Sequence, residues 1–241
     1  MTIVSVDLAH SDYRKIGVVV MSRRSNRISC QFETPTKHGV PDPRSLGDFL
    51  DNLCAKHGVR YLLMDGPQGW KDPSNGLLHA RVCERELNTP AKSGLPGIVI
   101  PANYAPFVEF SVAVYDALTS RGWCRWPGVH NGEREGRFLV ESFPLSAWRS
   151  LDLPILPAKS KASHENIQER ATALARMFSL DLGREPGHDE LQALVAGLAG
   201  IAIEASNYAG ISVAGRAPLL VDGTWREGYI ANPTRSGISR G

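Results

Sequence analysis

Four acidic residues stand at or near the ends of apolar runs, where a carboxylate has to be explained. Asp7 interrupts Ile3-Val4-Ser5-Val6-Asp7-Leu8-Ala9. A carboxylate in a half-buried strand is expensive unless it is paired, hydrogen-bonded or bound to a cation. The plainer explanation is an Asp that ends a sheet face or bonds the His10-Ser11 turn. Asp65 closes Leu62-Leu63-Met64 and opens Asp65-Gly66-Pro67, which is also ordinary turn chemistry. Taken together, the two acids terminate strands that can be neighbours. Close carboxylates repel unless a metal or a proton lies between them, and oxygen donors of this kind suit Mg²⁺ or Mn²⁺. Glu141, in Val140-Glu141-Ser142-Phe143-Pro144, repeats the theme, with an outward-facing strand position as its alternative. Asp189 opens a long apolar helix, and Asp189-Glu190-Leu191-Gln192 reads as a capping box with Asp189 at N-cap and Gln192 at N3.

Basic residues supply candidates to meet an anion. Arg81 and Arg85 are one helical turn apart beside Glu84 and Glu86, a pattern equally expected of a solvated charged face. Lys159 and Lys161 precede a helix and suit phosphate contacts, although loop lysines are usually solvated. His10 and His188 flank the acidic positions without an HExxH or HxH partner, and no GxSxG, Walker A or well-placed GxGxxG segment occurs. The cysteines Cys30, Cys54, Cys83 and Cys124 form no CxxC pair, so the spacing offers no zinc site.

The elements that must position these residues follow from periodicity. Ile3–Ala9, Ile16–Met21 and Arg27–Glu33 read as a three-strand meander. Pro43–His57 carries Leu46, Phe49, Leu50 and Leu53 at helical spacing, with Gly58 past its end. Arg60–Met64 is a fourth strand. From 68 to 135 the pattern loosens into an insertion, with helices expected near Leu77–Leu87 and Ala105–Arg121 around a Pro/Gly-rich stretch. Phe138–Phe143 is a strand, Ser163–Ser179 a helix with Ser163 as N-cap, and His188–Ser206 the most apolar helix. Its Ala193, Ala196, Gly197, Ala199 and Gly200 permit close packing. A polar tail from about 234 to 241 is expected to fray. The order suits one α/β domain over 1–241, a mixed sheet with helices on both faces, and ligands on such sheets sit beyond strand ends.

Composition narrows the classes. With 42% hydrophobic and 22% charged residues the chain is neither disordered nor fibrous. A net charge of +2 and a pI near 8.4 announce no nucleic acid, although a local basic patch can hide in a balanced total. The longest apolar stretch, Leu191–Ala205, contains Glu204 and is too short to span a bilayer. The opening MTIVSVDLAHS lacks a basic segment and meets Asp7 early, unlike a secretory leader. The expectation is a reduced, cytoplasmic protein without membrane partners.

Six segments in order resemble the DUF429 family of predicted nucleases with a ribonuclease H-like fold: Val6-Asp7-Leu8-Ala9, Met64-Asp65-Gly66-Pro67, Arg81–Leu87, Val140–Pro144, His188–Ala193 and Glu227–Pro233. The resemblance implies that Asp7 lies on the central strand and Asp65 on its neighbour, with the last helix lending a third acid. Where the family commonly shows Asp-x-x-Asp-Ala, this chain has Asp189 followed by Gln192, and a neutral amide is a poorer Mg²⁺ ligand than a carboxylate. The implied activity is phosphodiester hydrolysis through divalent ions about 3.5–4 Å apart. Asp7 and Asp65, with Glu141 or Asp189, would hold Mg²⁺ or Mn²⁺, and Arg81, Arg85 and Lys161 would hold the phosphates of a nucleic acid. Two alternatives remain beside it: a nucleotide-binding phosphotransferase, and a non-catalytic binding protein that has kept the fold.

Overall fold

The computed structural model describes residues 1–129 and 135–235. Strand β1 (Thr2–Asp7) buries Ile3, Val4, Ser5 and Val6 completely, because both of its faces are covered. It pairs antiparallel with β2 (Gly17–Arg24), which pairs with β3 (Arg27–Glu33). Its other edge runs parallel to β4 (Tyr61–Asp65), and β4 runs parallel to β8 (Arg137–Ser142). This order, β3-β2-β1-β4-β8 with β1 central, is the ribonuclease H-like layout. Among the described residues nine strands make one sheet, with short β9 (Leu180–Asp181) beyond β3. The far edge of β8 is shared by β7 (Trp123–Arg125) along its first half and β11 (Thr224–Pro233) at Glu141.

Helices cover both faces. α1 (Pro43–His57) and α3 (Ala105–Thr119) pack Leu46, Leu50, Val114 and Leu118 onto Val4, Val6, Val18 and Val20. α6 (His188–Glu204) lies on the opposite face, where Leu191, Leu194 and Leu198 meet Ile3, Val19 and Met21, beside α4 (Pro144–Ser150) and α5 (His164–Phe178). The small residues of α6 act as expected. A Cβ at Gly197 would come within 2.5 Å of Met21 Sδ, so only a bare backbone can approach the sheet this closely. No helix among the described residues is long and apolar enough to cross a membrane.

The expected elements need one correction and two additions. The helix expected over Leu77–Leu87 is only α2 (Val82–Glu86). Glu227 of β11 accepts hydrogen bonds from Asp72 N, Asn75 Nδ2 and Val82 N, which holds residues 72–81 in an irregular path. Arg81 itself is extended (φ −71°, ψ 159°), so tertiary bonds override helix propensity. The segment before Pro233, left unassigned by periodicity, is a long hairpin of β10 (Ile211–Val221) and β11, turning at Asp222-Gly223 with positive φ at both residues. The insertion also carries a two-stranded hairpin, β5 (Lys92–Ser93) with β6 (Val99–Ile100). Most of the tail expected to fray, residues 236–241, lies outside the described residues. Thr234 and Arg235 are bonded to Gly210 and Leu151.

Candidate active site

Parallel pairing of Val6 with Met64 sets the next residues, Asp7 and Asp65, side by side at the carboxyl end of the sheet. Their carboxyl groups share a hydrogen bond. Burial, the Asp65 and Asp189 charges and that bond push Asp7 well above the ordinary carboxylate range, with Lys159 opposing. Burial raises Asp65 to about 7, with the bond from Asp7 opposing and the Glu141 charge adding. Both acids thus hold a proton more tightly than a free carboxylate does, the usual result of two carboxylates in one low-dielectric site.

Asp189 reaches the same place from the opposite face. Gly17 lies across from Asp7 in the β1–β2 ladder, and a Cβ on it would stand 2.2 Å from the Asp189 backbone. A glycine at 17 therefore lets the first turn of α6 settle against the strand beside Asp7. Asp189 is not the helix cap. α6 begins at His188, its N-cap is Gly187, and Glu190 at N3 returns a 2.7 Å bond to Gly187 N. The capping box thus lies two residues earlier than expected, which frees the Asp189 side chain. It is taken instead by Lys159 Nζ on Oδ2 and by His188 Nδ1, 3.0 Å from Oδ1. Burial raises Asp189, but these bonds outweigh it and hold its pKa below the ordinary value. Gln192 is not turned toward the pair, because its Oε1 accepts a 2.7 Å bond from the indole of Trp148.

Glu141 sits one position behind Asp65, in register with Met64, and is a buried structural acid. Arg81 grips it with both guanidinium ends, at 2.7 and 2.6 Å, while Gln68 N donates at 3.0 Å. Arg81 Nε donates to Glu84, which also accepts from Ser93 N. Arg81 is 1% exposed and its guanidinium bonds Glu84 and Glu141, so a solvated face does not describe it. Arg85 and Lys161 are exposed, and among the described residues neither makes an ion pair. The lysine at the acids is Lys159, whose side chain is 53% exposed.

Among the described residues no three His, Cys, Asp or Glu side chains form a ready metal cage. The chemistry of the donors nonetheless suits a hard divalent ion: carboxylate oxygens of two side-by-side strand-end acids, with a third acid that Lys159 balances. Asp65 also lines a cleft of about 550 Å³ bounded by the β1–β2 connection, the segment after β4, the start of α3 and the end of β8. Sequence reasoning missed this cleft, and it missed Gly17, whose signal is a glycine at the start of a Val-rich strand.

The sheet order and its acidic end define a protein of ribonuclease H-like fold. No family model and no curated protein sequence matches the chain. Among solved structures it is similar to RuvC of Thermus thermophilus, with a TM-score of 0.43 and 10% identity over 85% of this chain and 96% of that one. It is also similar to the T. thermophilus RuvC in complex with a Holliday junction substrate, with a TM-score of 0.42 and 11% identity over the same shares.

Proposed function

We propose that this chain is a divalent-metal-dependent nuclease of the DUF429 kind, hydrolysing phosphodiester bonds at the Asp7–Asp65 pair. The observation that carries the reading is the register: parallel pairing of Val6 with Met64 brings two strand-end carboxyls together at a cost that a cation or a proton relieves. Asp7 and Asp65 would hold Mg²⁺ or Mn²⁺ after giving up that proton, with Asp189 as the third acid. The bound ion supplies charge to the phosphate oxygens and acidifies water. Lys159, released from Asp189, offers an exposed ammonium to a substrate phosphate, and His188 keeps Asp189 oriented through its own bond. Glu141 positions Asp65 from behind, held by Arg81.

Cleavage of labelled DNA, RNA and hybrid strands with Mg²⁺ or Mn²⁺ tests this. Activity is expected in the natural chain and a loss of at least about a hundredfold in Asp7→Asn. Equal activity in that variant rules the mechanism out. One observation favours the reading as a binding protein that has kept the fold: Asp189 is already neutralised by Lys159 and Gln192 is committed to Trp148. Calorimetry with Mn²⁺ separates the two, since the nuclease reading requires binding at millimolar levels or tighter.

A further inference from the structure

The cleft beside the carboxylate pair has a composition of its own. At about 550 Å³ it falls in the range of pockets that enclose one small organic group. Its wall carries the rings of His10, Tyr104, Phe107 and Phe143, and the His10 and Phe107 rings meet edge to face at 6.2 Å. The exposed Ser11 and Asn103 and the half-buried Tyr104 add polar edges to the same wall.

Charge excludes an anion from the interior. The lining acids are Asp65, Glu84 and Glu141, and the one lining Arg, Arg81, is spent on the two glutamates. What remains to recognise a ligand is ring surface edged by the polar groups of Ser11, Asn103 and Tyr104, which matches the face and edge of a nucleobase. We propose that this cleft takes an unpaired nucleobase of a nucleic-acid strand while the adjoining phosphate stays at its mouth, beside Asp7 and Asp65. The placement of the phosphate rests on the nuclease reading; the base site does not. The substrate class that follows is a single-stranded, bulged or otherwise unpaired nucleotide, not an intact duplex.

The test uses the full chain carrying Asp7→Asn, without divalent ions, and fluorescence anisotropy. The probes are a labelled single-stranded DNA, the same sequence as a blunt duplex, and a duplex with one bulged 2-aminopurine. Single-stranded and bulged DNA are expected to bind at least about tenfold more tightly than the blunt duplex, with a change in 2-aminopurine emission. Phe107→Leu and Tyr104→Leu, each checked for an unchanged melt, remove a ring and keep apolar bulk. Each is expected to weaken single-strand binding on the order of 5- to 100-fold. Equal binding of the blunt duplex, silent 2-aminopurine, or unchanged affinity in both leucine variants overturns the proposal. Displacement by adenosine monophosphate at the oligonucleotide's own concentration assigns the cleft to a free nucleotide and also overturns it. Base-selective binding with no cleavage by the natural chain would sink the nuclease reading alone, whereas cleavage with indifferent leucine variants would sink the base site alone.

Discussion

Side-by-side burial gives Asp7 and Asp65 a signature in solution. Both have native pKa values above those of an unfolded carboxylate, so the folded chain holds their protons more tightly. That stabilisation is complete below about pH 4, the unfolded carboxylate range. It fades as pH rises toward the native values, about 7 for Asp65. Metal-free protein is therefore expected to lose stability, on the order of 1–3 kcal/mol, between about pH 5 and pH 8. Asp12, Asp42 and Asp72 are shifted downward and act oppositely, but only at lower pH. Asp7→Asn removes one of the two raised acids and leaves Asp65 raised by burial, so its melting temperature should fall less steeply over the same interval; melts in chelator at several pH values check this, and parallel curves for the two proteins refute it. The opposite kind of acid is Glu141, whose charge is already answered. Arg81→Met leaves Glu141 and Glu84 buried without their cation, at an expected cost of about 3–5 kcal/mol in urea unfolding. Arg85→Ala, on the exposed side of the same helix, should change stability by less than about 0.5 kcal/mol.

Elements explain why some of this was legible in the sequence and some was not. Asp7 and Asp65 could be read because each breaks an apolar run, and strand register then fixes what the runs only suggest. The meander, α1, α5 and α6 were equally plain, since their cores are local stripes of one period. Arg81, Glu84 and Glu141 looked like surface charge because their burial is made by β8, β11 and the β5–β6 hairpin, distant segments that no local window contains. The β10–β11 hairpin had a local signal in Asp222-Gly223, but Pro218 and the register shift between Arg216 and Leu219 break its alternation. The cap of α6 lies two residues before Asp189 because Asp and Gly are both good caps, and the Gly187 N–H bond to Glu190 decides between them. The contact that matters most to the site, Gly17 under the first turn of α6, has no periodicity at all. Gly17→Ala forces a methyl against the Asp189 backbone. It should cost at least about 1–3 kcal/mol and weaken Mn²⁺ binding beyond what Val19→Ala, a core truncation elsewhere on β2, does at matched stability. Equal effects of the two on Mn²⁺ affinity would mean that Asp189 takes no part.

At the scale of the whole molecule, the sheet behaves as a rigid bed with one end left electrostatically incomplete. Both faces of β1 and β4 are closed by helices, so the acids at their ends cannot relax apart, and the excess charge has to be met by something that binds. Three species compete for it: a proton on the Asp7–Asp65 pair, the Lys159 ammonium on Asp189, and a divalent cation. A cation must displace the first two, so its affinity rises with pH as the proton becomes easier to remove. Stabilisation by a ligand that binds only the native state reaches about 2.7 kcal/mol at a hundred times its dissociation constant. Mn²⁺ at fixed concentration should therefore raise the melting temperature more at about pH 8 than at pH 5.5, reversing the decline of the metal-free protein. Lys159→Ala removes the internal competitor but also the charge that opposes Asp7 protonation. The two effects separate by pH: Mn²⁺ affinity should increase more at pH 8, where protons compete less for the pair, than at pH 5.5. If Mn²⁺ shifts neither the natural chain nor Lys159→Ala at any pH, the proton and the lysine are the permanent occupants of this end of the sheet, and the fold serves binding alone.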